Sequence, residues 1–285
     1  MPSPDLVLSH FSIRHADFPE RVRAASAAGY VGIGLYVREY ERLIAAGHTG
    51  AELRAVVADA GQQITEFEAL RGWASSGAAH ETCLRDLDTI DRMAEDLGPA
   101  DHVQVIGPYE GDLDDAAAGF ALVCDRFAQH GMRAALEYFP DMSNIPDVTT
   151  ALEIVKRAGR PNGGLCVDTW HHFRTGDTFE ALATVPAERV VGVQFNDGPL
   201  ARVHPDYYTE CTSYREIPGT GEFDLAGFVR TLDGMGVTVP FEVEVISLQL
   251  DRLPPDDVAR QLAEASRAVI GAARDAAAAR PASPE

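Results

Sequence analysis

"RVVGVQFND", residues 189–197, reads as a buried strand that carries the wrong residues on one of its faces. Val193 and Phe195 alternate with Gln194 and Asn196, and successive side chains of a strand point to opposite sides. "FEVEVIS" (241–247) repeats the pattern, with Phe241, Val243 and Val245 set against Glu242 and Glu244. A strand whose apolar face packs on helices and whose polar face lines a closed interior explains both stretches. That is the strand of a barrel.

The rest of the chain keeps the same rhythm. Short apolar runs at 6–13, 30–37, 64–70, 102–107, 133–139, 163–168, 189–197 and 240–247 are the expected strands. Helix-period segments such as 18–29, 80–98, 115–131 and 148–159 lie between them, several ending in Gly where a left-handed cap is wanted. Eight strands, nearly every one followed by a helix, predict an α/β fold with a single (β/α)8 barrel over residues 1–272. An open doubly wound sheet is disfavoured because no G-x-G-x-x-G turn follows the first strand. Residues 273–285, "ARDAAAARPASPE", read as a helix end and flexible tail. The segment 199–222 has little apolar periodicity and is placed to act as a lid over the barrel mouth.

Composition narrows the function classes. The 285 residues include 24 Lys+Arg against 44 Asp+Glu, a formal net charge of −20. Such a chain repels phosphate backbones and anionic membrane surfaces, which argues against nucleic-acid and membrane partners. The four cysteines (Cys83, Cys124, Cys166, Cys211) form no C-x-x-C pair, which suits a reducing cytoplasm. "MPSPDLVLSHFSIRH" lacks the basic and apolar regions of a signal peptide, and no stretch reaches the length of a membrane span. A soluble cytoplasmic protein is expected.

Strand alternation then assigns the interior. Leu136 and Tyr138 face the helices and send Glu137 inward; Val167 and Thr169 do the same for Asp168. Gln194, Asn196, Glu242 and Glu244 point inward on the last two strands, and Glu66, Glu68 and His10 follow the same rule. An unpaired carboxylate inside a barrel is costly, and several converging without a basic partner cost more. A divalent cation resolves the conflict. Glu137, Asp168, Gln194 and Glu244 sit near the ends of strands five to eight, neighbours around one rim. Three carboxylates and an amide oxygen make a hard site, suited to one Mn²⁺ or Mg²⁺. Glu242 lies one inward step deeper and reads as a supporting residue, as do Glu66 and Glu68.

"ALEYFP", "CVDTWHHFR", "VQFNDGP", "REIPGTGEFDL" and "FEVEVIS" together resemble the xylose isomerase-like TIM barrels, specifically the sugar phosphate isomerase/epimerase family. The likeness is dense from about residue 132 to 247. It implies a divalent metal held by Glu137, Asp168, the strand-seven residue and Glu244, and substrate contacts from His171 and Arg215. It also implies Glu137 and Glu244 as paired acid/base groups in a metal-dependent isomerase or epimerase of carbohydrate metabolism. The substrate would be a keto-sugar or related polyol, and the family tends to form homo-oligomers.

One position departs from the family pattern. Epimerases usually carry His where Gln194 stands, and Gln there also occurs in members that dehydrate keto-cyclitols. A lyase, acting by dehydration or C-glycoside cleavage, is therefore the alternative. Trp170 and His10 near strand ends are further candidates for substrate contact, and His204, Tyr207 and Tyr208 for closure of the lid. A multi-zinc nuclease of the endonuclease IV type would need many rim histidines and a positive groove. A non-catalytic barrel would not need the carboxylate set.

Overall fold

Eight parallel strands close into a barrel in chain order in the computed structural model, which describes residues 4–141 and 143–278. They are β1 (Leu6–Leu8), β2 (Gly32–Tyr36), β3 (Ile64–Leu70), β4 (His102–Val105), β5 (Arg133–Glu137), β6 (Gly163–Asp168), β7 (Val190–Phe195) and β8 (Phe241–Val243). The ring closes where Leu6, Val7 and Leu8 pair with Phe241, Glu242 and Val243. This is the (β/α)8 barrel expected from the sequence. Among the described residues no helix is long and apolar enough to cross a membrane.

The alternation of side chains sorts the two layers. Leu8, Leu35, Phe67, Val103, Leu136, Val167, Val193 and Val243 are at most 1% exposed and belong to one continuous apolar cluster with the helices. Burial of each such side chain contributes about 1.5–3 kcal/mol. Inside, Ala135, Cys166 and Val191 form a separate small cluster. Ala135 and Cys166 stand two residues before Glu137 and Asp168 and share their face. The interior is therefore apolar lower down and polar towards the strand ends.

Six strands are shorter than their apolar runs, β1 and β8 by the most. Residues 6–13 read as one strand, yet β1 stops at Leu8 and His10–Ile13 is a 3-10 turn. Ser9 ends the strand by capping that turn, its Oγ accepting from Phe11 N at 3.2 Å. Ser12 Oγ then donates to Val243 O and accepts from Val245 N, both at 2.8 Å, and binds the turn to the end of β8. β8 stops at Val243, so Glu244 lies just past the strand. Short polar side chains that bond locally compete with the sheet ladder in this way.

The helix Pro255–Ala278 closes the outer layer, so residues 273–278 are its end. The remainder of the expected tail lies outside the described residues. The segment 199–222 contains a short helix, Tyr207–Cys211, and is tied back to the barrel by the bridges Asp197↔Glu216 and Tyr214↔Ser247.

Candidate active site

Four consecutive strand ends deliver polar groups to one place. Glu137 is the last residue of β5 and Asp168 the last of β6; Gln194 precedes the end of β7 and Glu244 follows β8. Glu137 Oε2 accepts from Gln104 Nε2 of β4 at 2.6 Å. Asp168 Oδ1 accepts from Trp170 N at 2.7 Å and from Asn196 Nδ2 at 2.8 Å. Its other oxygen accepts from Arg215 Nη1 at 2.7 Å, and the same nitrogen donates to Glu244 Oε2 at 2.8 Å. Ser9 Oγ lies 3.1 Å from Glu244 Oε1 and 3.2 Å from Glu68 Oε1.

The local fold aims His171 at this group. Asp168 is the N-cap of the helix Thr169–Thr175, and residues three apart on a helix share a face. His171 Nε2 therefore comes back to 3.3 Å from Glu137 Oε1 and 3.6 Å from Asp168 Oδ2. Burial lowers its pKa to about 3, so the ring is neutral. The nitrogen that faces two carboxylates carries the proton. Nδ1 accepts from the Tyr207 hydroxyl at 2.5 Å.

Electrostatically the interior is overloaded. Glu66, Glu68, Glu137, Asp168, Glu242 and Glu244 are all buried, and among the described residues Arg215 is the one guanidinium ion-paired with any of them. Burial raises Glu244 to about 8 although Arg215 pulls it down. Burial, reinforced by Asp168 and Glu244, holds Glu137 well above the usual carboxylate range. Arg215 is kept charged against its own burial by Asp168 and Glu244.

This donor set fits a divalent cation. Glu137, Asp168 and His171 each present a ligand atom within 4.8 Å of the others. Gln194, paired in register with Asp168, is fully buried and neither of its amide atoms has a hydrogen-bond partner. An unpartnered buried amide costs about 1–3 kcal/mol, and an oxygen ligand bond to a cation removes the oxygen's share of that cost.

A cavity of about 450 Å³ opens above these groups, within the range of small-molecule sites. Glu137, Glu244, His171 and Arg215 line it, while Asp168 and Gln194 lie beneath, fully buried. Phe139 packs against His171 with the rings tilted by 55° and their centroids 4.1 Å apart. Arg71 also lines the cavity and makes no ion pair among the described residues.

Two expected substrate contacts do not line it. Trp170 is 0% exposed and packs against Phe223, with the Arg174 guanidinium 4.4 Å above its ring. Because Asp168 starts a helix, His171 returns to the mouth and Trp170 is turned about 100° away from it. His10 is displaced by the early end of β1: the 3-10 turn tucks it beside Phe11 and Tyr36, which line the cavity instead. His172 packs on Phe179, and Arg174 pairs with Glu210 at 3.5 Å. Of the lid candidates, Tyr208 lines the cavity and His204 stacks on Tyr214 away from it.

Sequence reasoning missed Gln104, Ser9 and Asp197. Gln104 was visible as the inward polar residue of "HVQVIG". Asp197 clamps the long loop: its carboxylate accepts from the backbone N–H groups of Gly198, Gly219, Gly221 and Phe223 at 2.8–3.1 Å. A Cβ at Gly221 would meet Asp197 Oδ1 at 2.4 Å, so glycine is what lets the loop approach.

Residues 22–269 match the family described as xylose isomerase-like TIM barrel. A 3-dehydroshikimate dehydratase of Pseudomonas aeruginosa is 28% identical over 236 residues, covering 80% of this chain and 36% of that protein. A 3-dehydroshikimate dehydratase of Pseudomonas putida is 25% identical with the same coverage. The chain thus spans 36% of the length of the curated relatives it matches. A solved xylose isomerase-like TIM barrel/4-hydroxyphenylpyruvate dioxygenase fusion protein shares the fold with a TM-score of 0.85 at 21% identity. The match covers 99% of this chain and 46% of that one.

Proposed function

The chain belongs to the xylose isomerase-like TIM barrels, and from that premise we propose a divalent-metal-dependent enzyme that moves a proton next to a carbonyl group. The observation that carries this reading is that Glu137 and Glu244 line the same cavity, with one Arg215 nitrogen joining Glu244 to Asp168. Glu137, Asp168, Gln194 and Glu244 would hold the cation, Mn²⁺ or Mg²⁺ by the hardness of the set. Bound there, the cation supplies positive charge against the enolate oxygen that develops as the C–H bond breaks.

The chain's own groups do the rest. One of Glu137 and Glu244 accepts the proton alpha to the carbonyl and the other serves as acid on the opposite side. Gln104 and Ser9 orient their carboxylates, and Arg215 keeps Glu244 turned towards the mouth. His171, neutral and protonated on Nε2, is a hydrogen-bond donor for a substrate hydroxyl or carbonyl.

The substrate reading that best fits is a keto-cyclitol carboxylate of the 3-dehydroshikimate type, which loses water. Two observations support it: both curated relatives are 3-dehydroshikimate dehydratases, and the unpaired Arg71 offers a carboxylate partner in the cavity wall. In such a lyase the α-proton goes to one glutamate and the β-hydroxyl leaves as water with a proton from the other. The second reading is an isomerase or epimerase on a keto-sugar, in which the second glutamate returns the proton to carbon. The presence of two glutamates in one cavity favours it equally. A multi-zinc nuclease is disfavoured, since His171 is the one histidine lining the cavity among the described residues.

The test is incubation of Mn²⁺-loaded protein in D₂O with 3-dehydroshikimate and, separately, with a panel of keto-sugars. Loss of water from the cyclitol supports the lyase. Deuterium at the α-carbon of a keto-sugar, with its epimer or isomer, supports the second reading. Neither exchange nor dehydration anywhere in the set would overturn the proposal.

A further inference from the structure

A second group of ligand-type side chains lies deeper in the barrel, apart from the rim site. Glu66 of β3, His102 of β4 and Glu242 of β8 are 0%, 3% and 3% exposed. His102 Nε2 stands 3.4 Å from Glu66 Oε1 and 3.2 Å from Glu242 Oε1. Yet His102 Nε2 has no hydrogen-bond partner, and no N–H or hydroxyl donor reaches either oxygen of Glu66 or Oε2 of Glu242; the Glu66 carboxyl lies against those of Glu242 and Glu68 instead. Among the described residues no Arg or Lys lies within ion-pair distance of Glu66, Glu68 or Glu242.

We propose that Glu66, His102 and Glu242 form a second divalent-cation site, suited to Zn²⁺, that is separate from the rim and holds the barrel interior together. Four arguments carry it. First, the rim cation balances only part of the six buried carboxylates, and two carboxylates with a neutral imidazole and a doubly charged ion make a neutral unit. Second, the imidazole nitrogen that faces both carboxylates has no hydrogen-bond partner of its own, which leaves it open to ligate. Third, the spacing matches: zinc bonds of 2.0–2.1 Å in a tetrahedron put neighbouring ligand atoms about 3.3 Å apart. The two observed nitrogen–oxygen distances bracket that value without hydrogen-bond geometry. Fourth, the barrel wall is cut back to admit the imidazole. A Cβ at Gly192 of β7 would stand 2.9 Å from His102 Nε2.

The experiment is metal analysis of protein produced with supplemented zinc and dialysed against zinc-free buffer, with anomalous diffraction at the zinc edge. About two zinc ions per chain are expected for the unaltered protein. One anomalous peak should lie among Glu66, His102 and Glu242, and chelator should remove that ion more slowly than the rim ion. His102→Gln should drop the content to about one with the rim peak retained; Glu137→Gln should drop it to about one with the deep peak retained. A deep peak without a rim peak would support this site while removing the rim cation. An anomalous map of the unaltered protein with no deep peak, the carboxylates then holding protons instead, would overturn it. So would His102→Gln with undiminished zinc. Because the map needs no variant, it decides the matter even if His102→Gln fails to fold.

Discussion

The Tyr207 hydroxyl lies 2.5 Å from His171 Nδ1 and joins the long loop after β7 to the helix that follows β6. This contact fixes the tautomer that turns the Nε2 proton towards Glu137. Removing it in Tyr207→Phe takes one hydrogen bond of roughly 1.5 kcal/mol from the ring, so kcat/KM is expected to fall about tenfold. Steady-state kinetics on the substrate identified in D₂O checks this. Unchanged kinetics would mean that the loop does not orient His171.

Glu137→Gln and Glu244→Gln each remove one proton-carrying group while keeping its shape. Turnover is expected to fall by about 10²–10⁴ in each. Deuterium incorporation into the substrate separates the roles: the variant lacking the first base loses exchange altogether. Activity in Glu244→Gln equal to that of the unaltered protein would remove that residue from the acid/base pair.

Gln194→Leu is expected to act in opposite directions on the two forms of the protein. Without metal it replaces two unpartnered buried amide atoms by an apolar group, which should stabilise the fold by about 1–3 kcal/mol. With metal it deletes an oxygen ligand. Thermal melts with and without Mn²⁺ should therefore show a higher metal-free Tm and a smaller gain on loading. An unchanged gain would exclude Gln194 as a ligand.

The metal-free protein should lose stability as pH rises from about 7 through 8, with Glu68, Glu137 and Glu242, also raised by burial, acting in the same direction. Glu66 and Glu244 are both raised to about 8 by burial, so the folded chain keeps protons that the unfolded chain has already released. A state that binds more protons is weakened as pH rises, and the effect ends above the folded pKa. The buried neutral histidines His102 and His171 have depressed values and slope the other way, but only below about pH 6.5, where the unfolded rings charge. Chemical denaturation at a series of pH values, with and without Mn²⁺, measures the slope. Metal should flatten it, since ligation favours the deprotonated carboxylates. A metal-free stability that rises across this window would contradict the buried protonated pair.

The barrel and most of its rim were legible because two physical signals coincide along each strand. Val167 and Val193 face helices and must be apolar, which leaves Asp168 and Gln194 as the inward exceptions in their strands. His10 was misplaced because the strand period was carried past the point where a cap ended the strand, and Trp170 because nearness to a strand end took no account of the helix that begins there. Asp168 and Ser9 make those caps with their own side chains, and each turns the next residues by a helical step. Ser9 was harder to see, since its importance lies in what it touches across the barrel and not in local pattern. The same holds for His102, whose partners are far away in the chain.

Asp197 gathers both ends of the long loop onto one carboxylate, and this separates inheritance of the chemistry from inheritance of the specificity. Between Gly198 and Gly219 the chain can change length and side chains, Tyr207 and Arg215 excepted, while the clamp returns Arg215 to the same two carboxylates. Substrate range is then free to drift by exchange of a surface cassette, with the glutamate pair passed on unaltered. A lineage of such barrels would diversify first at the exposed residues of 199–214, with Tyr207 kept, and last at its strand ends.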